Sequence, residues 1–469
     1  MNTHTNSDVK TTEGTDSTGA STVPNALSDD SEIGTGLSGI FHRLENGLVV
    51  CVFAVAIVLP LIQALDRIWP FGGPGQLRLE GHAEYMKHAM LWLSFLGGLL
   101  ATRPKKHLRL STGEFLADSR WGAPLHIFAM GVSICICLLL AEGSAVVVWE
   151  QFEQAENTGR ASLLPFGIPS WVSESIFPIA LVLIAVRFMW QSSNHMSGRI
   201  LTAAMGIGLA LALANPELVE SQLYPLAALI LAATILGAPI FAAMGGLAYV
   251  LLLADASFTP PDVEFYVFLE QDPSIAASFA VSLEVYDLVS KANIRAIPLL
   301  TVCGVVLAEC RAAERLVEFF KALVGWMPGG VAVLVAAVCA LFTALTGGSA
   351  VTIVALGGLT YGVLREGGYP EGFRLGHVTA SSSLGLLFFP SIPVIYYSFI
   401  VSRGGDPALA VNLKDLFIAG FLPGVLMIAL VGGYGVWVGR KLEVERPAFD
   451  VNRLVRSAWT AKWELSIPI

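Results

Sequence analysis

Charge is scarce in this sequence: Lys, Arg, Asp and Glu make up 14% of 469 residues, against 54% hydrophobic. That balance excludes an ordinary soluble globular chain and implies an all-α polytopic membrane protein. Two stretches, Ser221–Ala254 and Val331–Leu364, each run 34 residues without a charge. Cysteine is sparse as well: Cys51, Cys135, Cys137, Cys303, Cys310 and Cys339 lie in or beside apolar runs, at spacings that match no metal or redox pattern. Their role is apolar packing. No basic leader, apolar segment and cleavage site opens the chain, so the first membrane helix is expected to serve as its own insertion signal. Paired His, Asp or Glu at helical spacing within the spans are missing too. His377 has no carboxylate three or four residues away, which argues against an enzyme and implies no cofactor.

The few charges are placed. Residues 1–40 are rich in Ser, Thr, Asn, Asp and Gly, with too little apolar surface to offset ordering; an acidic, disordered tail is expected. Apolar runs follow at Gly47–Leu65, Met86–Thr102, Trp121–Val148 and Ile168–Trp190. Between the second and third, Arg103, Lys105, Lys106, Arg109 and Arg120 form the densest basic cluster. Beside membrane segments it marks the cytoplasmic side and does not read as a nucleic-acid surface. Glu150–Arg160 reads as an acidic external loop, Glu142 as an interfacial residue, and Arg187 as a side chain that snorkels to the headgroups. Ile200–Ala214 is a short connecting helix, and Gly237-Ala238-Pro239 should kink or split the run around it. Residues 255–296 read as a loop and an amphipathic interfacial helix. The loop's acids, Asp262, Glu264, Glu270 and Asp272, suit either partner docking or plain solvation. Ala312–Val324 is amphipathic, and Leu416–Val438 is a full span followed by Arg440, Lys441, Arg446, Arg453 and Arg456, again cytoplasmic.

Chemistry is expected where two long apolar runs break. As one helix Val331–Leu364 would reach about 51 Å, against about 30 Å of bilayer hydrocarbon. Thr346-Gly347-Gly348-Ser349 near its middle predicts a re-entrant hairpin. Leu375–Ser402 is cut by Ser381-Ser382-Ser383-Leu384-Gly385 and again by Pro390-Ser391-Ile392-Pro393, which predicts a discontinuous helix. Glycines for close packing and prolines for kinks would explain one such break. Two consecutive breaks, both dense in hydroxyls, favour a binding site, because irregular backbone persists at membrane depth only inside protein or around a wet cavity. The candidate substrate- and ion-binding residues are Gly347, Gly348, Ser349, Thr352, Ser381, Ser382, Ser383, Gly385, Pro390, Ser391 and Pro393. Ser349 and Ser383 are the candidate sodium ligands. Hydroxyl and carbonyl oxygens suit a bare sodium ion, and exposed amides suit a carboxylate.

These motifs, from Leu345-Thr-Gly-Gly-Ser-Ala-Val-Thr352 through Gly368-Tyr-Pro370 to Thr379-Ala-Ser-Ser-Ser-Leu-Gly385 and Pro390-Ser-Ile-Pro393, in this order and spacing, resemble the large (DctM-like) subunit of TRAP transporters, the tripartite binding-protein-dependent carriers. The chain departs from the family where Thr352 stands in place of a frequent aspartate and Phe389-Pro390 in place of Pro-Pro. Both departures bear on substrate and ion preference. More loosely, residues 40–192, with Glu80, Glu84 and Leu91-Trp-Leu-Ser-Phe-Leu-Gly97, resemble the small (DctQ-like) subunit. The resemblance implies a four-helix small-subunit region (41–192), a connecting helix (193–220), and one repeat of an inverted-repeat elevator transporter (221–469). The small region would brace the large one.

The implied activity is sodium-coupled uptake of an organic acid, dicarboxylate-like, delivered by a periplasmic binding protein across the bacterial inner membrane. Only one hairpin motif and one Ser-rich break occur, so the sequence reads as holding the first repeat only. From that come three expectations: a truncated, non-transporting scaffold or one half of a split transporter as the alternative function, a separate chain supplying the second repeat, and no uptake by this chain alone.

Overall fold

The computed structural model describes residues 37–68, 82–103, 121–158, 163–164, 167–255, 273–291, 312–389, 391–402, 411–441 and 448–463, with 299, 302, 306 and 310 singly. Two compact units divide the chain, Met1–Leu48 and Val49–Ile469. Helix α1 (Leu37–Ile68) begins in the first, so the last four positions assigned to the tail are already helical; residues 1–36 lie outside the described residues. All later elements belong to the second unit.

Helix α2 (His82–Thr102) covers the apolar run expected at Met86–Thr102 and opens with the polar residues His82, Glu84, Lys87 and His88. The basic cluster beyond Arg103 lies outside the described residues. Helix α3 (Gly122–Thr158) corrects the expected external loop: nothing between Gly143 and Gly159 breaks a helix, and it continues through Glu150 and Glu156. A two-residue ladder, β1 (Leu163–Leu164) against β2 (Ile168–Pro169), is the exception to all-α structure among the described residues.

Helix α4 (Ser170–Glu174) and helix α5 (Ile176–Ser192) part at Ser175 because Pro178 offers no N–H to Glu174 and its ring crowds that carbonyl. Arg187 on α5 does not simply snorkel. Its guanidinium donates to the Leu99 carbonyl (2.5 Å) and the Thr102 hydroxyl (3.1 Å), while Gln191 reaches the Thr102 carbonyl at 2.6 Å. Together they cap the carbonyl end of α2. Helix α6 (Met196–Leu213) supplies the connecting segment, and Asn215 caps α7 (Pro216–Ser221), whose first residue is proline.

The second uncharged run splits as expected. Helix α8 (Leu223–Ile235) ends before Gly237, at φ +102°, and α9 (Ile240–Leu253) starts after Pro239. Helix α10 (Pro273–Ser290) overturns the interfacial assignment. Ser274, Ala276, Ala277, Ser278, Phe279 and Ser282 are buried, and the helix packs on α3 with no space for a side chain on Gly143 against the Ser278 backbone. Its scattered acids, Glu284 and Asp287, suggest an interface in sequence, yet the small alanines and serines ahead of them are what let two backbones approach. The acidic loop ahead of it lies outside the described residues.

Helix α11 (Ala312–Val324) is amphipathic as expected, with Leu316 and Val317 buried and Glu314 and Glu318 exposed. The hairpin follows as α12 (Gly330–Thr346) and α13 (Ser349–Glu366). Then come α14 (Glu371–Ser381), a 3₁₀ turn at Leu384–Leu387, α15 (Ile392–Ser402), α16 (Leu413–Gly439) and α17 (Val451–Thr460). Sequence patterning had not marked α17.

Among the described residues, five stretches are long and apolar enough to cross a bilayer: His42–Ile62, Gly122–Glu153, Ser170–Ser192, Met196–Leu213 and Leu413–Gly439. A sixth forms if the bent pair Glu371–Leu387 and Ile392–Ser398 counts as one. One buried cluster joins α3, α5, α9 and α10 through Ile136, Leu140, Phe177, Tyr249 and Phe279. Another joins α11, α12, α13 and α14 through Leu316, Leu334, Phe342, Leu356 and Val378.

Candidate functional site

The hairpin turn takes two residues. Gly347, at φ +70° and ψ 5°, sits where an L side chain is strained, and its N–H donates to the Thr343 carbonyl at 2.8 Å. Gly348 is extended and caps α13. The arms then run back along each other: Gly367, at the far end of α13, faces Val331 at the start of α12. At the second break α14 ends at Ser381, the chain passes through the 3₁₀ turn, and the bend to α15 is 43°.

The two breaks meet. A side chain on Gly347 would lie 2.7 Å from Ile392 at the start of α15. Gly385 stands against the Ala340 carbonyl, with the Ala344 nitrogen 2.6 Å from where its Cβ would be. The Thr343 hydroxyl lies 2.7 Å from the Cys339 carbonyl, 2.8 Å from the Ser382 carbonyl and 2.8 Å from the Thr352 hydroxyl. Thr346 and Thr352 are 3.3 Å apart at their hydroxyls, and both approach the Gly348 carbonyl, at 3.4 and 3.3 Å. Thr343, Thr346, Thr352 and Ser382 are all buried.

Proton counting gives this cluster its chemistry. Thr343 carries one hydroxyl proton, and the Thr352 proton can serve the contact between the two hydroxyls. One of the carbonyls of Cys339 and Ser382 is then left against an oxygen with no proton between them. A converging set of uncharged oxygens short of donors suits a small hard cation. Nearby, the buried hydroxyls of Ser381 and Ser391 have no hydrogen-bond partner, a cost of about 1–3 kcal/mol each unless a ligand or water meets them.

The sequence candidates divide accordingly. Gly347, Gly348, Thr352, Ser382 and Gly385 lie at the meeting of the breaks; Ser381 and Ser391 are buried at the second break. Ser349 is half-buried as the first residue of α13, while the side chains of Ser383 and Pro393 are exposed. Pro390 lies outside the described residues. Thr343 and Thr346 were not among the candidates; their signal is two hydroxyls three apart, on one helix face leading into the glycines. Cavities of about 610 and 580 Å³, lined by residues that include Phe388, Phe389 and Phe417 and by others that include Gly376, His377 and Tyr434, do not have the cluster's hydroxyls in their walls.

The surrounding frame is tight. Tyr369, just ahead of α14, stacks in series with Phe373 and His377 of that helix, with centroids 4.8 and 5.0 Å apart. The Nε2 of His377 lies 2.9 Å from the Ala332 carbonyl, and the Tyr369 hydroxyl donates toward the Gly435 carbonyl at 3.2 Å. Gly432, Gly435 and Gly439 of α16 lie against α12 and the residues just before it, at Val333, Ala332 and Gly329.

A helical membrane protein with a hairpin and a broken helix packed break to break is the architecture of a membrane carrier. The model of the DctM component of tripartite ATP-independent periplasmic transporters matches residues 223–469, and that of the DctQ component matches 77–198. The chain belongs to this family, with a DctQ-like and a DctM-like region fused in one multi-pass protein of the inner membrane.

It is similar to the isethionate TRAP transporter permease protein DctMQ of Oleidesulfovibrio alaskensis, at 26% identity over 82% of this chain and 57% of that protein. It is also similar to the C4-dicarboxylate TRAP transporter large permease protein DctM of Rhodobacter capsulatus, at 33% over 39% of this chain and 42% of that protein. A third relative is the ectoine/5-hydroxyectoine TRAP transporter large permease protein UehC of Ruegeria pomeroyi, at 28% over 38% of this chain and 40% of that protein. The chain thus spans about half the length of these relatives. The first carries both matched regions in one polypeptide, so a separate chain for the second repeat finds no support.

Proposed function

We propose that the chain is the membrane permease component of a sodium-coupled carrier for an organic anion handed over by a periplasmic binding protein. The observation that carries the reading is the meeting of hairpin and broken helix around Thr343, Thr352 and the Ser382 carbonyl, where uncharged oxygens outnumber protons. Sodium is the coupling ion in this reading, held by those oxygens. The exposed Ser383 is a weak candidate ligand beside the buried Thr343 and Thr352. The anion would meet the partnerless hydroxyls of Ser381 and Ser391. Relatives named for isethionate and C4-dicarboxylate support an organic acid, with ectoine widening the range, and those names describe permeases, not enzymes. Hairpin and broken helix would travel together, as in an elevator, against a frame that includes α3 and α10.

The test is thermal unfolding of the purified chain in sodium chloride against choline chloride at equal ionic strength. A ligand that binds only the folded state raises the midpoint. A sodium-specific rise that Thr343→Val with Thr352→Val removes supports the site; no sodium-specific rise in the unaltered protein ends the reading. Proteoliposome uptake with the binding protein, scanned across sulfonates, dicarboxylates and ectoine, then identifies the substrate.

A further inference from the structure

Helix α17 turns one face inward and leaves another apolar face open. Ala461 is buried and Leu454, Ser457 and Ala458 are half-buried where the helix packs on α11. Val451, Val455, Trp459 and Trp463, spaced by four, are 59, 62, 71 and 70% exposed. Steps of four residues advance about 40° around a helix, so Val451, Val455 and Trp459 cover a strip of about 80°, and Trp463 and Lys462 follow just past the cap at Ala461. Arg453, Arg456 and Thr460 occupy the remaining side. The Lys462 ammonium stands 3.9 Å from the Trp459 ring centre and 5.4 Å from that of Trp463.

The same pairing occurs at the end of α16, where Lys441 lies 4.6 Å over Trp437. That end is the basic one, and only eleven residues separate Gly439 from Val451. Tryptophan with lysine or arginine at the end of an apolar span is the chemistry of the headgroup layer. A strip of valine and tryptophan flanked by cations, a few residues from that level, fits a surface with fatty chains below and negative charge above.

We propose that α17 lies on the membrane leaflet at the basic end of α16, with Val451, Val455, Trp459 and Trp463 in the acyl–headgroup boundary and Arg453, Arg456 and Lys462 on anionic phospholipid headgroups. The helix thereby anchors α11, and with it the base of the hairpin, to that leaflet.

The test is site-directed spin labelling of the full chain in nanodiscs, with Cys51, Cys303 and Cys310 changed to serine and single cysteines at 453, 455, 459, 460 or 463. In phosphatidylglycerol-containing discs, labels at 455, 459 and 463 should collide with oxygen several-fold more readily than with a nickel chelate, and labels at 453 and 460 should show the reverse. In pure phosphatidylcholine discs, or with Arg456→Glu and Lys462→Glu, the contrast should shrink. Ready chelate access at 459 and 463 overturns the proposal, as does exclusion of both reagents, which would mean a protein partner covers the strip. A contrast unchanged by lipid charge overturns the anionic assignment. Trp459→Phe, which keeps an aromatic ring, should leave the labels at 455 and 463 unmoved, separating lipid seating from misfolding.

Discussion

Gly385 and Ala340 meet with no side chain between them: the α-carbon of the first stands against the carbonyl oxygen of the second, with the Ala344 nitrogen and Thr343 Cβ closing the same space. This is where the broken helix presses on the hairpin. Gly385→Ala must push the two apart, at about 1–3 kcal/mol for an overpacked site. A lowered unfolding midpoint in detergent is expected. If alanine is accommodated with no loss, the contact is looser than described.

Gly347 poses a double demand, a left-handed backbone and a close neighbour in Ile392. Gly347→Ala should cost about 1–2 kcal/mol for the backbone alone, plus displacement of Ile392. Pairing it with Ile392→Ala should restore part of the loss. Full additivity of the two changes in thermal unfolding would show that the residues do not touch.

The three-way position of Thr343 separates a stabilising role from a binding one. Thr343→Ser keeps the hydroxyl and should leave the sodium response near its original value. Thr343→Val keeps the shape, strips the Ser382 carbonyl of its partner at about 1–3 kcal/mol, and should weaken sodium at least tenfold, equivalent to about 1.4 kcal/mol. Equal sodium titrations for serine and valine variants would place the ion elsewhere.

Tyr286 and Glu174 join the two matched regions. The tyrosine hydroxyl on α10 donates to Glu174 Oε1 at 2.5 Å, and the second carboxylate oxygen, Oε2, is buried without a partner. Lys87 lies 4.6 Å from the ring centre of the same tyrosine. Tyr286→Phe should therefore destabilise the protein by about 1–3 kcal/mol, since it strands a buried carboxylate. Glu174→Gln, which still accepts from the hydroxyl, should cost less. Tyr286→Phe combined with Glu174→Leu should be milder than Tyr286→Phe alone, and a double-mutant cycle measures the difference.

Much of this was legible in the residues. Gly347-Gly348 and Gly237 with Pro239 announce their breaks because no other residue types combine positive φ with interrupted hydrogen bonding at such short range. Three matters were not. The small side chains of α10 give the same sequence pattern whether the helix lies on a membrane or inside a packed bundle. The Tyr286–Glu174 pair joins residues 112 apart, a separation no local spacing encodes. Thr343 and Thr346 read as ordinary members of an apolar run until the fold brings the Ser382 carbonyl to them.

The Tyr369–Phe373–His377 stack carries a mechanical consequence. Through His377 it grips Ala332 on the hairpin, and through Tyr369 it grips Gly435 on α16. Hairpin, α14 and α16, separate in sequence, are therefore joined at one end, and moving the hairpin without α16 would break these contacts. If hairpin and broken helix travel as proposed, these contacts tie to them a helix long and apolar enough to span a bilayer, so each stroke would carry a bilayer-sized wall with it.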